Sequence, residues 1–234
     1  MCGGFFMLQL LPRHLQLIII FAAQKKSEVI RVINHPPQFV RNLMPNFKWK
    51  VDSAENTLFL TFDDGPTPNV TEWVLDNLAE YDAKATFFCL GRNAEHYPDI
   101  YKRIIDEGHA VGNHTYSHLN GWKVSAKEYI DDVDLASQII DSHLMRPPYG
   151  RFTKKQIQPL RDQGYQMILW DVMPEDYNPR VKPHECCECV LRFATSGSII
   201  TFHDSMKARM NLYFALPRVL KHFTEMGFKF ARLE

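Results

Sequence analysis

Polar groups able to do chemistry recur in this chain at the ends of apolar runs. Asp63 and Asp64 are adjacent carboxylates, and two such charges repel unless a cation or basic group lies between them. Gly65 and Pro66 then turn the chain, so that both can face one way; alone, the same four residues read rather as a helix-capping loop. His114 and His118 stand four apart, which aims both imidazoles at one point if the segment coils through a turn. A lone pair of this kind is as readily two surface or core histidines. With Asp64 the set becomes two histidines and a carboxylate, which leaves positions on an ion open for water and substrate. Arg146 precedes Pro147-Pro148-Tyr149-Gly150, a stiff turn able to aim a backbone N–H at developing negative charge. Asp176, His203 and Asp204 complete the inventory.

Alternating strands and helices must bring these groups together. The patterning predicts strands at Thr57 to Phe62, Ala83 to Cys89, His109 to Asn113, His143 to Pro147, Gln166 to Trp170, Ser198 to His203 and Phe228 to Arg232. Between them, helical spacing groups Val70, Trp73, Val74 and Leu78 behind a Thr67 N-cap and Pro68. It also groups Ile100, Ile104 and Ile105, and then Tyr129, Val133, Ala136 and Ile140 behind a Ser125–Glu128 capping box. A further helix is capped by Thr153 with Gln156. Pro183 to Ala194 and Asn211 to Met226 supply two more, the last burying Leu212, Leu216, Val219, Leu220 and Phe223 and stopping at Gly227. Strict alternation predicts an α/β fold of parallel strands wrapped by helices, either a barrel or a doubly wound sheet. In barrels of this type the active site lies at the C-terminal strand ends, where Asp63, Asp64, His114, His118, Arg146, Asp176 and His203 fall.

The 234 residues suffice for one large domain, and 45% hydrophobic with 23% charged residues is ordinary for a globular chain. Lys plus Arg and Asp plus Glu are 27 each, so no basic face for nucleic acid is expected, and a neutral or sugar-like partner fits better. Five cysteines show no disulfide framework; Cys186, Cys187 and Cys189 beside His184 read as helix packing, because no second ligand pair follows at zinc-finger spacing. Residues 1–28 form an N-terminal extension. Its apolar run Leu15 to Ala23 is short of the roughly 20 residues a spanning helix needs. Export or anchoring and a loose extension both stay open, and with them an exported or a cytoplasmic location. Residues 29–56 lead into the domain at 57–234.

The segments Thr61 to Pro66 (TFDDGP), His114 to His118 (HTYSH), Arg146 to Gly150 (RPPYG) and Ser198 to Asp204 (SIITFHD) resemble the polysaccharide deacetylases of carbohydrate esterase family four, the NodB homology domain. The resemblance covers residues 57–232. It implies a distorted (β/α) barrel of about seven strand-helix units and hydrolysis of N-acetyl groups on an amino-sugar polymer or oligosaccharide. It further implies a divalent metal, zinc being the expected ion, held by Asp64, His114 and His118. Asp63 would take a proton from water, with Arg146 favouring its charged form; the Tyr149 backbone N–H would stabilise the oxyanion; His203, held by Asp176, would protonate the leaving amine. Two places depart from the family pattern: Met173 stands where a carboxylate is usual and Tyr177 follows Asp176 in place of Trp, and Thr201 and Phe202 precede His203 where leucines are usual, a change of wall rather than of reacting group. The alternatives are a related amidase or O-acetyl esterase, and a non-catalytic carbohydrate-binding barrel. The polymer and the oligomeric state are not fixed by the sequence.

Overall fold

In the computed structural model, residues 34–52 and 55–234 are described. The expectations for residues 1–28 lie outside them. Among the described residues no helix is long and apolar enough to cross a membrane.

The chain runs α1 (Gln38–Asn42), β1 (Phe47–Lys48), β2 (Thr57–Asp63), α2 (Val70–Glu80), β3 (Ala85–Cys89), α3 (Gly91–His96), α4 (Pro98–Asp106) and β4 (Ala110–Asn113). It continues with α5 (Ala126–Ser137), β5 (Leu144–Met145), α6 (Lys154–Asp162), β6 (Gln166–Ile168), α7 (Pro183–Phe193), β7 (Ile199–His203), α8 (Arg209–Glu225) and β8 (Lys229–Phe230). The strands lie in the order β1-β6-β5-β4-β3-β2-β7, with β8 on the first residues of β2, and all these pairings are parallel. Short bridges, Val172 to Ile200 and Lys50 to Ser198, reach from the ends of β6 and β1 toward β7, so the sheet curls into a distorted barrel, one of the two arrangements the alternation allows and the one the resemblance implies.

All seven residues of β2 are buried, because side chains on both of its faces meet packed layers. Leu58, Leu60 and Phe62 point outward into the core beneath α2 and α8, where Phe62 stacks between Phe87 and Phe202. The two-residue period then puts Phe59, Thr61 and Asp63 inside the barrel. Register does the rest. Phe59 lies beside Ile199, Thr61 beside Thr201 and Thr86, and Asp63 beside His203 and Phe88. The interior is thus layered, apolar at the bottom with Phe59, Leu144, Ile168 and Ile199, closed above by the Phe88 ring beneath Arg146, and polar at the mouth.

The expected helical faces hold for α5, where Tyr129, Val133 and Ala136 are buried with Ile140 just beyond, and for α8, where all five named residues are buried. Two details differ. The first long helix opens at Asn69, whose N–H is capped by Glu72 at 2.7 Å, two residues later than Thr67; Thr67 and Pro68 form the turn leading in. In α4 only Ile104 is buried and Ile105 is exposed, because a single stripe of this short helix meets the sheet. The strand β1, absent from the sequence patterning, pairs Phe47 and Lys48 with Met167 and Ile168. The three clustered cysteines sit in α7, with Cys186 and Cys187 buried against α8 and the sheet.

Candidate active site

The deepest member of the site is Arg146, fully buried and laid over the Phe88 ring at 4.1 Å. Its Nη1 donates to Asp63 Oδ1 at 2.6 Å and to Thr61 Oγ1 at 2.7 Å, and its Nη2 donates to Leu169 O at 3.0 Å. The parity of β2 makes this possible, since it puts Thr61 and Asp63 on one face. Burial alone pulls the guanidinium pKa down, and the charge of Asp63 opposes that pull. A buried ion pair of this kind orients a carboxylate, because breaking it would strand a charge.

Beside it, Asp64, His114 and His118 bring one ligand atom each to within 4.8 Å of one another, the one such convergence of His, Cys, Asp and Glu side chains among the described residues. Asp64 Oδ1 is buried and lies 3.2 Å from His118 Nε2 and 3.7 Å from His114 Nε2, the His118 contact being close but too poorly directed to satisfy the oxygen fully. His114 Nδ1 donates to Arg146 O at 2.7 Å, which fixes the tautomer and turns the Nε2 lone pair toward Asp64. Burial holds this imidazole down to about 4, so it is neutral at physiological pH, as a ligand must be. Burial works against charge on Asp64 as well, yet the His118 hydrogen bond and the imidazoles of His203, His114 and His118 hold its carboxyl well below the usual range. Two imidazole nitrogens and a carboxylate oxygen without a well-directed donor fit a divalent ion with open positions.

On the opposite wall, His203 Nδ1 donates to Asp176 Oδ1 at 2.8 Å, and the His203 backbone N–H donates to Asp176 Oδ2 at 2.7 Å. Burial disfavours the charged imidazole, but the Asp176 carboxylate outweighs it, with Asp64 and Asp63 adding, and the pKa rises to about 9. Tyr149 takes a left-handed backbone, φ 60°, and its hydroxyl lies 3.0 Å from His118 Nδ1.

Asp63, Asp64, His114, His118, Tyr149 and His203 all line one cavity of about 700 Å³, with Arg146 and Asp176 directly behind. Met173 and Tyr177, where the family motif is broken, line it too. Tyr177 packs edge-on against His203 at 4.7 Å, its hydroxyl 3.8 Å from Met173 Sδ, so the wall is apolar where a carboxylate is usual. Sequence reasoning missed Thr61, Trp49, Trp122 and Lys207, although the alternation of β2 signals Thr61. It also gave Asp204 no role. That carboxyl is fully buried, accepts from Gly65 N–H at 3.0 Å and Thr71 Oγ1 at 2.5 Å, and is pushed by burial up to about 7.

Comparison with known proteins gives the same picture. The polysaccharide deacetylase family model matches residues 50–168. A peptidoglycan-N-acetylglucosamine deacetylase of Bacillus cereus is 35% identical over 181 residues, covering 74% of this chain and 66% of that relative. A chitooligosaccharide deacetylase of Azorhizobium caulinodans is 33% identical over 164 residues, covering 66% of this chain and 77% of the relative. The crystal structure of a peptidoglycan N-acetylglucosamine deacetylase bound to 4-naphthalen-1-yl-N-oxidanyl-benzamide superposes with a TM-score of 0.74 at 32% identity, covering 80% of this chain and 91% of that one. With motifs, fold and relatives in agreement, this chain belongs to the polysaccharide deacetylase family.

Proposed function

We propose that the chain hydrolyses N-acetyl groups of an amino-sugar polymer or oligosaccharide using a divalent ion, with zinc the first candidate, held by Asp64, His114 and His118. The carrying observation is the convergence of a base, a three-donor ligand set and a carboxylate-held imidazole on one cavity. Its walls include Trp122, Tyr149 and Trp170, aromatic side chains of the kind that suit a sugar ring.

Asp64, His114 and His118 would hold the ion, which when bound would supply Lewis acidity for the acetyl carbonyl and for water near neutral pH. Asp63, aimed by Arg146, accepts the water proton. The Tyr149 backbone N–H faces the developing oxyanion, a contact whose loss typically costs about 3 kcal/mol of transition-state stabilisation. His203 carries the second proton: with Nδ1 engaged by Asp176, its Nε2–H donates to the departing amine, which leaves poorly unprotonated.

The test is acetate release from chitooligosaccharides and peptidoglycan by zinc-loaded protein. Activity should vanish with chelator and return with zinc. Asp63→Asn and His203→Ala should each lower turnover by about 100-fold or more with metal content unchanged. No acetate from any acetylated amino-sugar glycan would refute the reading.

A further inference from the structure

Asp204, whose buried carboxyl takes no part in the steps above, bonds to both sides of Asp64, through its backbone on one side and its carboxyl on the other. Its backbone N–H donates to Asp63 O at 3.1 Å, and its Oδ1 accepts the Gly65 N–H at 3.0 Å. Its Oδ2 is anchored by Thr71 Oγ1 at the start of α2. The residue between these contacts, Asp64, has φ 82°, a backbone region that side-chain-bearing residues seldom occupy. Its own carbonyl is held by Asn93 Nδ2 at 2.8 Å. The geometry has a chemical consequence. Because the backbone turns left-handed at Asp64, the strand alternation ends there, and two consecutive carboxylates serve different partners: Asp63 faces Arg146, and Asp64 faces the two imidazoles. Gly65 permits this approach, since a Cβ there would meet Asp204 Oδ2 at 1.9 Å.

We propose that Asp204 is a positioning residue for the ligand Asp64: it locks the Asp63–Gly65 turn so that the Asp64 carboxylate stays aimed at His114 and His118. The inference rests on the reading that these three side chains hold a divalent ion. Groups behind metal ligands typically tune affinity by about 10- to 100-fold when removed.

The test measures zinc affinity of the metal-free protein by competition with a chromophoric chelator, without substrate. Asp204→Ala should weaken zinc binding about 10- to 100-fold and lower kcat far more than it changes KM. Asp204→Asn keeps an oxygen for Gly65 and offers an amide N–H to the Thr71 hydroxyl, so it should bind zinc within about threefold of native. Should Asp204→Ala fail to give a cooperative melt, Thr71→Val, which removes one anchor, carries the test with an expected loss of about 3- to 10-fold. Val219→Ala, buried in α8 away from the site, controls for lost stability: it should lower the melting temperature and leave zinc affinity unchanged. Native zinc affinity in Asp204→Ala, an Asn variant as weak as the Ala variant, or equal weakening by Val219→Ala each overturns the proposal. A protein that binds zinc with this pattern but releases no acetate overturns the deacetylase reading alone; one that binds no zinc overturns both.

Discussion

The His203–Asp176 pair offers the sharpest test, through Asp176→Asn. Asn preserves the shape and can still accept the His203 backbone N–H now held at 2.7 Å. It removes the charge that most raises the imidazole, leaving the burial that lowers it. The metal-free native protein should therefore titrate His203 at about 9, and the variant should titrate at or below the ordinary 6.5. At pH 8 the charged acid would fall from roughly 90% to roughly 3% of molecules, about 30-fold. A bound divalent ion lowers both values, so the alkaline limb of acetate release lies below the metal-free titration and moves lower still in Asp176→Asn. Stability follows with a definite sign. A raised histidine pKa stabilises the fold fully below the unfolded value near 6.5, and that contribution is lost as pH rises through about 9. Burial raises the Asp176 carboxyl as well, which offsets part of the gain, so the variant should lose the difference in stability between pH 6 and pH 10 rather than a fixed amount. Imidazole NMR titration of metal-free protein and denaturant melts at pH 6 and pH 10 read both quantities. A His203 pKa that stays near 9 in Asp176→Asn would show that the carboxylate is not what holds the proton.

Arg146→Met leaves Asp63 buried without its cation, and should cost about 3–5 kcal/mol in denaturant melts while nearly abolishing acetate release; a stable, active variant would contradict the orienting role of the ion pair. Gly65→Ala puts a methyl group where Asp204 Oδ2 stands, at 1.9 Å, so zinc affinity and melting temperature should both fall, whereas Gly164→Ala, with open space at its Cβ and only the strain of its own left-handed backbone, φ 99°, should lower stability alone. Trp122 is 47% exposed at the cavity rim, with its indole N–H bonded to Phe152 O. Trp122→Ala should raise KM for oligosaccharides several-fold, roughly what one aromatic stacking face contributes, with little change in melting temperature. An unchanged KM would place the sugar chain elsewhere.

What could be read from the sequence divides by the range of the physics involved. Strand ends were legible because alternation within a strand and spacing along a helix are local properties of the chain. Those same ends carry Asp64, His114, His118 and His203. The faces of α5 and α8 were legible for the same reason, while Ile105 was misjudged because a two-turn helix cannot reveal how wide a stripe its sheet will cover. Strand β1 was invisible: two residues show no period, and Phe47 and Lys48 become a strand only because the edge of β6 is open to them. Asp204 was visible as a polar residue past a strand, but its role depends on β7 lying beside β2 in one register, which places Asp204 N–H on Asp63 O. A slip of one residue would exchange inside for outside and take Asp63 away from Arg146. The site is therefore specified twice, by the residues that would do the chemistry and by the apolar layers of Phe59, Ile199 and Phe88 that fix the register beneath them. Motif spacing carries only the first of these, and a barrel with every motif in place but a loosened lower layer would lose the site without losing one catalytic side chain.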